Sequence, residues 1–168
     1  MNMIKISLLL SLFSLAAWSG SLAAAPATEQ AKVEMIDFDS LQPRLQMEND
    51  TIYVVNFWAT WCAPCVREIP AFEQLYANYK DQNLKVLLVS LDFPNHLESR
   101  VMPFLEEHQV KSEVVLLDET NPNRWIPLVD ESWTGAIPAT IIYSRSFREF
   151  YQQEFKYEEL EEIILPLL

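Results

Sequence analysis

Apolar positions along the chain group into two kinds of run. Thr51–Trp58 (TIYVVNFW) is apolar at nearly every position and rich in β-branched and aromatic residues. Such a run predicts a central strand covered on both faces. From Ala63 the period changes: Ile69, Phe72, Leu75, Tyr76 and Tyr79 recur at three-and-four spacing and predict a helix over 63–79. Pro70 lies inside it, lacks an N–H for the Val66 carbonyl and is expected to kink it. Leu84–Asp92 (LKVLLVSLD) predicts a second buried strand, Leu97–His108 a helix interrupted by Pro103, and Ser112–Asp118 a third strand. A helical turn within Asn123–Asp130 follows, then a strand over Ala139–Ser144, an edge strand over Phe147–Phe155 and a helix from Tyr157 to Leu165. Upstream, Asp39 or Ser40 is placed to cap a short helix reaching about Met47, with Pro43 in its first turn. Strands alternating with helices, closed by a hairpin and a helix, imply an α/β fold with a central mixed β-sheet flanked by helices.

The amino terminus follows a different logic. A single cation at Lys5 precedes an apolar run from Ile6 to Trp18 broken only by serines, and small residues suited to cleavage follow in SGSLAAAPA. This is the pattern of a secretory signal peptide over residues 1–25, which leaves one domain over 26–168 and an exported, periplasmic location. An uncleaved membrane anchor is the weaker reading, since about thirteen apolar residues fall short of the roughly twenty that span a bilayer. The chain has 168 residues, half of them hydrophobic, and twenty aromatics. That suffices for a core. Its net charge of -12 excludes the basic face that nucleic-acid binding requires. Beyond the signal only Gly135 remains, so turns must rest on Asn, Asp and Pro, as in FPNH and NPNRW.

Candidate chemistry centres on the only two cysteines, Cys62 and Cys65, one helical turn apart where the first strand hands over to the first long helix. A helix amino terminus stabilises a thiolate, which is the form that attacks a disulfide. Cys62, at the open end, is then the attacking thiol, and Cys65, one turn deeper, the resolving thiol. A purely structural disulfide across so short a loop contributes only about 2 kcal/mol by chain entropy. A zinc site needs three or four ligands, whereas His96 and His108 lie twelve residues apart without partner cysteines. Redox exchange is the reading that uses the position of both sulfurs.

FWATWCAPC followed by Glu68-Ile69-Pro70, and later GAIPAT over Gly135–Thr140 before a strand, resemble the TlpA/ResA-like branch of the thioredoxin superfamily. The resemblance covers about Val33 to Leu168 and implies a thioredoxin-like fold with a central insertion between Leu91 and Pro138. It implies an exported protein-disulfide reductase or exchange enzyme with no cofactor beyond a redox-active Cys62–Cys65 disulfide and with no metal. Its partners would be disulfide-containing exported proteins and an upstream dithiol donor, membrane-embedded in one variant of the scheme. By the same resemblance Cys62 is the nucleophile, Cys65 the resolving thiol and Pro138 a cis-proline packed against the pair. Trp61 and Ile137 would contact substrate. Cis is physically accessible there, because only X–Pro bonds reach it cheaply. Backbone groups of Ile137 would then be free to pair with an extended substrate.

Two features set the chain apart from plain thioredoxin. Asn56, six residues before Cys62, stands where thioredoxin has a buried aspartate, and it cannot titrate. Glu68, one turn after Cys65, is the candidate to move its proton; the bland alternative is a solvated helix acid. The segment from Asp118 to Trp133 is a candidate for substrate choice, with Trp125 and Trp133 equally readable as core. Competing functions are a Cu(I)-binding thiol module, disfavoured by the lack of a methionine cluster or a histidine beside Cys62, and a thiol peroxidase. Peroxiredoxins resemble a pattern with Thr or Ser three residues before the attacking cysteine, where this chain has Ala59.

Overall fold

The computed structural model describes residues 33–168; the signal-peptide expectation for residues 1–25 lies outside them. In chain order the elements are β1 (Glu34–Ile36), α1 (Phe38–Leu41), β2 (Ile52–Trp58), α2 (Ala63–Tyr79), β3 (Leu84–Ser90), α3 (Met102–Glu107), β4 (Glu113–Leu117), α4 (Pro122–Val129), β5 (Ala139–Tyr143), β6 (Arg148–Tyr151) and α5 (Tyr157–Ile164). The strands form a six-stranded sheet in the order β1-β4-β3-β2-β5-β6. β2 lies at its centre, parallel to β3 and antiparallel to β5. The sheet is therefore mixed and flanked by helices, as the alternation of patterns predicts.

Because side chains alternate across a strand, β2 feeds two cores. Ile52, Val54 and Trp58 face the core shared with Ile69, Phe72 and Leu75 of α2 and Leu160 and Ile164 of α5. Tyr53, Val55 and Phe57 face the core shared with Phe38 and Leu41 of α1 and Trp125 and Val129 of α4. A strand buried at all seven positions has no polar face to alternate, which is why it reads as a continuous apolar run.

Several local expectations are corrected. β1 was not legible, because three residues with two exposed carry no periodicity. Its edge position follows from parallel pairing with β4. The cap of α1 is Asp37, neither Asp39 nor Ser40: the Asp37 carboxylate accepts from the Ser40 N–H at 2.9 Å. The helix does not run on to Met47 but tightens into a 3₁₀ turn over Gln42–Leu45, where Pro43 has no N–H to contribute. Pro103 does not interrupt a helix. A wide π turn over Leu97–Val101 precedes α3, and Pro103 sits in the first turn of α3, where a missing N–H is harmless. α2 keeps its expected bounds and runs through Pro70. α4 is a full eight-residue helix where a single turn was expected, opened by Pro122. β6 occupies the outer edge but only over Arg148–Tyr151.

Trp125 and Trp133 are core residues rather than substrate contacts. They meet edge-on at 5.3 Å between ring centroids, and Phe57 packs against both. Trp61, in contrast, is 58% exposed. Trp125→Ala is therefore expected to cost about 3–5 kcal/mol of unfolding free energy by denaturant titration, and Trp61→Ala less than about 1. Equal losses in the two variants would contradict the placement of these rings.

Candidate active site

The handover from β2 to α2 is built by turns that need no glycine. The Cys62 N–H donates to the Ala59 carbonyl at 3.1 Å, and the Cys62 carbonyl accepts from Val66 N–H at 3.0 Å. Cys62 is the N-cap of α2, with extended backbone, and its Sγ accepts from the Cys65 N–H at 3.3 Å. A donor that ordinarily goes to a Ser, Thr or Asp oxygen is thus aimed at sulfur. Pro64, in the first turn, has no N–H to offer. The two cysteines are joined as a disulfide. Cys62 is 6% exposed and Cys65 fully buried, so the sulfurs differ in access.

A second loop closes over the pair. The Ile137–Pro138 bond is cis, and the Ile137 carbonyl oxygen lies 3.7 Å from Cys62 Sγ. In the disulfide that sulfur carries no hydrogen, so this is a contact rather than a hydrogen bond. Ile137 is outside the β2–β5 ladder, which begins at Ala139. The loop is held from the core side, where Trp133 Nε1 donates to the Ala136 carbonyl at 2.8 Å. Gly135 adopts φ of +88°, and a β-carbon there would come within 3.2 Å of Ile126 Cδ1. The positive φ favours glycine at this turn, and a side chain there would also press on Ile126.

Glu68 follows Cys65 by one turn of α2 and is 1% exposed. It is not a solvated helix acid. Asn56 Nδ2 donates to Oε1 at 2.7 Å, and the Phe155 N–H donates to Oε2 at 2.9 Å. The Asn56 amide also donates to Thr140 Oγ1 at 3.0 Å, tying β2 to β5 across the same polar cluster. Burial pushes the Glu68 carboxyl up from its ordinary 4.5 to about 7. The donors from Phe155 and Asn56 oppose that rise, and the Glu154 carboxylate adds slightly to it.

The structure thus gathers Trp61, Cys62, Cys65, Glu68, Ile137 and Pro138 around the carboxyl ends of β2 and β3 and the start of β5. Three partners were not anticipated. Asn56 was noted only as a residue that cannot titrate, yet it holds Glu68; its even spacing from Val54 and Trp58 already placed it on the face of β2 toward α2. The Phe155 N–H carries no side-chain signal at all. Asp92, by its apolar run the last residue of a strand, instead lies buried beyond the end of β3 and pins the approach to the cysteines. Its carboxylate accepts from Thr60 N–H at 2.9 Å, Thr60 Oγ1 at 2.6 Å and Ser90 Oγ at 2.9 Å.

Residues 23–147 match the AhpC/TSA family. The thiol-disulfide oxidoreductase ResA of Halalkalibacterium halodurans is 29% identical over 121 residues, covering 70% of this chain and 62% of the relative. The protein of the same name from Geobacillus kaustophilus is 48% identical over 92 residues, covering 55% of this chain and 48% of the relative. The chain therefore spans about half to three-fifths of the length of these relatives. A thioredoxin-related protein from Neisseria meningitidis serogroup B superposes with a TM-score of 0.60 at 21% identity, covering 73% of this chain and 87% of that one. By the match over residues 23–147 the chain belongs to the AhpC/TSA family, and it carries that family's thioredoxin-superfamily domain.

Proposed function

We propose that the protein is an exported thiol-disulfide oxidoreductase that reduces disulfides of other exported proteins. The observation that carries this reading is the pair of sulfurs at the start of α2, Cys62 6% exposed and Cys65 fully buried, with a buried carboxylate one helical turn further on. In the reduced dithiol, the Cys62 thiolate attacks one sulfur of a target disulfide, and the other target sulfur leaves as a thiolate that takes a proton from water. Cys65 then gives its proton to the Glu68 carboxylate and attacks Cys62 Sγ. The Cys62–Cys65 bond forms, the mixed disulfide breaks, and the second target thiol departs. Two electrons pass from the dithiol to the target, and an upstream dithiol donor returns them by the same exchange in reverse. The Cys65 N–H supports this order, since it points at Cys62 Sγ and stabilises the attacking anion. Ile137 and Pro138 would seat the target beside Cys62, with Trp61 as a neighbouring contact. Export is supported by the apolar amino-terminal segment with its small-residue cleavage pattern.

Cys65→Ala should attack but not release, so mixed disulfides with exported proteins accumulate on non-reducing gels, whereas Cys62→Ala traps none. Trapping by Cys62→Ala instead would reverse the two roles.

Glu68 gives a pH signature with a definite sign. Its folded-state pKa lies above the ordinary carboxyl value, so folding takes up a proton between about pH 4.5 and 7. Stability falls as pH rises through that window and is level above it, by about 3 kcal/mol in all. In Glu68→Gln this component disappears, so wild type should gain stability relative to the variant as pH drops from 8 to 5. The same substitution should slow release of the mixed disulfide, and abolish the rise in release rate that wild type shows through pH 7 as Glu68 becomes a base. Parallel pH profiles in both proteins would exclude Glu68 from proton transfer.

The direction of exchange also has a physical basis. Strong oxidants stabilise the reduced form with additional cations or donors at the attacking thiolate. Here the intervening residues are only Ala63 and Pro64, and an ionised Glu68 below the pair opposes a second negative charge. Equilibration with glutathione should give a couple below about -200 mV; a value near -120 mV would make the protein a disulfide donor.

A further inference from the structure

We propose that Phe93, together with Trp61, forms an aromatic rim beside Cys62 that selects target polypeptides carrying an apolar side chain next to their disulfide cysteine. This rests on the oxidoreductase reading above and specifies its substrates. Phe93 is 66% exposed, more than any other large apolar residue among those described, and yet it is held in place. Pro94 confines it to extended backbone, observed at φ -65° and ψ 143°. Its carbonyl accepts from the His96 N–H at 2.8 Å. The His96 ring meets the Phe93 ring edge-on, 5.8 Å between centroids. An exposed aromatic ring on a backbone that is already fixed loses less freedom when a partner covers it, which is the property of an interface anchor.

Its position ties it to the sulfur chemistry. Asp92, the residue before Phe93, binds Thr60 through both the N–H and the hydroxyl, and Trp61 and Cys62 follow Thr60 directly. The Leu91 N–H donates to the Trp58 carbonyl at 2.8 Å, fastening the same two segments a second time. Both exposed rings therefore stand at the end of the sheet where Cys62 is reached. Two of the other exposed apolar residues, Met47 and Leu128, lie by Tyr143, which pairs with Tyr53 near the opposite end of β2.

Charge identifies the occupant. The chain carries 36 acidic and basic residues in 168. The three segments that converge here, Ala59–Cys65, Leu91–His96 and Thr134–Thr140, contain one, Asp92, which is buried and already accepts three hydrogen bonds. A rim with exposed rings and no free charge on an otherwise strongly acidic protein fits an uncharged, apolar segment of a partner.

The test is single-turnover reduction of two cystine peptides by pre-reduced protein, one with Leu and one with Ser beside each cysteine, and otherwise identical. Wild type is expected to favour the Leu peptide about tenfold in second-order rate constant, the scale of one well-covered apolar side chain. Phe93→Ser should bring that ratio to within about twofold of unity, Phe93→Leu should keep most of it, and Leu128→Ser, at the far end of the sheet, should leave it intact. A wild-type ratio near one, a ratio preserved in Phe93→Ser, or one lost equally in Leu128→Ser would overturn the rim while leaving the oxidoreductase reading in place. Failure of the reduced wild-type protein to reduce either peptide or a small disulfide such as cystine would overturn that reading and the rim with it.

Discussion

A carboxylate out of reach of water persists in a folded protein only where other dipoles replace its hydration, and Glu68 is such a group. Its two oxygens are met by the Asn56 amide from the central strand and the Phe155 N–H from the segment entering α5. Each donor comes from a different part of the chain, so the carboxylate can be accommodated only when β2, α2 and the carboxyl-terminal segment are all assembled. Arg67, the residue before Glu68, reinforces this by pairing with Glu154, next to Phe155, at 2.5 Å. The donors offset only part of the desolvation, so burial still pushes the carboxyl up to about 7, the property that the proposed proton transfer from Cys65 would use.

The dithiol one turn before Glu68 depends on the same economy of local bonds. Cys62 acts as the cap of α2, so the geometry that starts the helix also directs a backbone donor at the reachable sulfur. Two loops then frame that sulfur, and each is fixed from the interior. Asp92 ties down the approach through Thr60, and Trp133 holds the loop ahead of Pro138 through the Ala136 carbonyl. With glycine only at Gly135 in these turns, the conformation is set by buried hydrogen bonds rather than by permissive residues. The backbone on both sides of the site is consequently tied down, and Phe93 and Trp61 are presented to solvent from fixed segments.

What the sequence by itself determined was everything carried by a local pattern. The long apolar run of β2, the three-and-four spacing of α2 and the cysteine pair at their junction located the chemistry, because strand burial, helix periodicity and helix-terminus electrostatics act over neighbouring residues. Elements too short for a period, such as β1, are invisible, and Pro103 reads as a break and Pro122 as part of a turn although both open helices. The tertiary structure alone decided what is buried and by what it is met. Glu68 and an exposed helix acid look the same in sequence; only the packing of α2 against β2 and α5 withdraws it from water. Phe155 contributes a backbone N–H, which every non-proline residue has, and Asp92 becomes a buckle only because β3 ends beside β2 in the sheet. Likewise Trp61, Phe93, Trp125 and Trp133 are all aromatic, and whether a ring fills the core or faces a partner depends on contacts between residues distant in the chain, which no local pattern encodes.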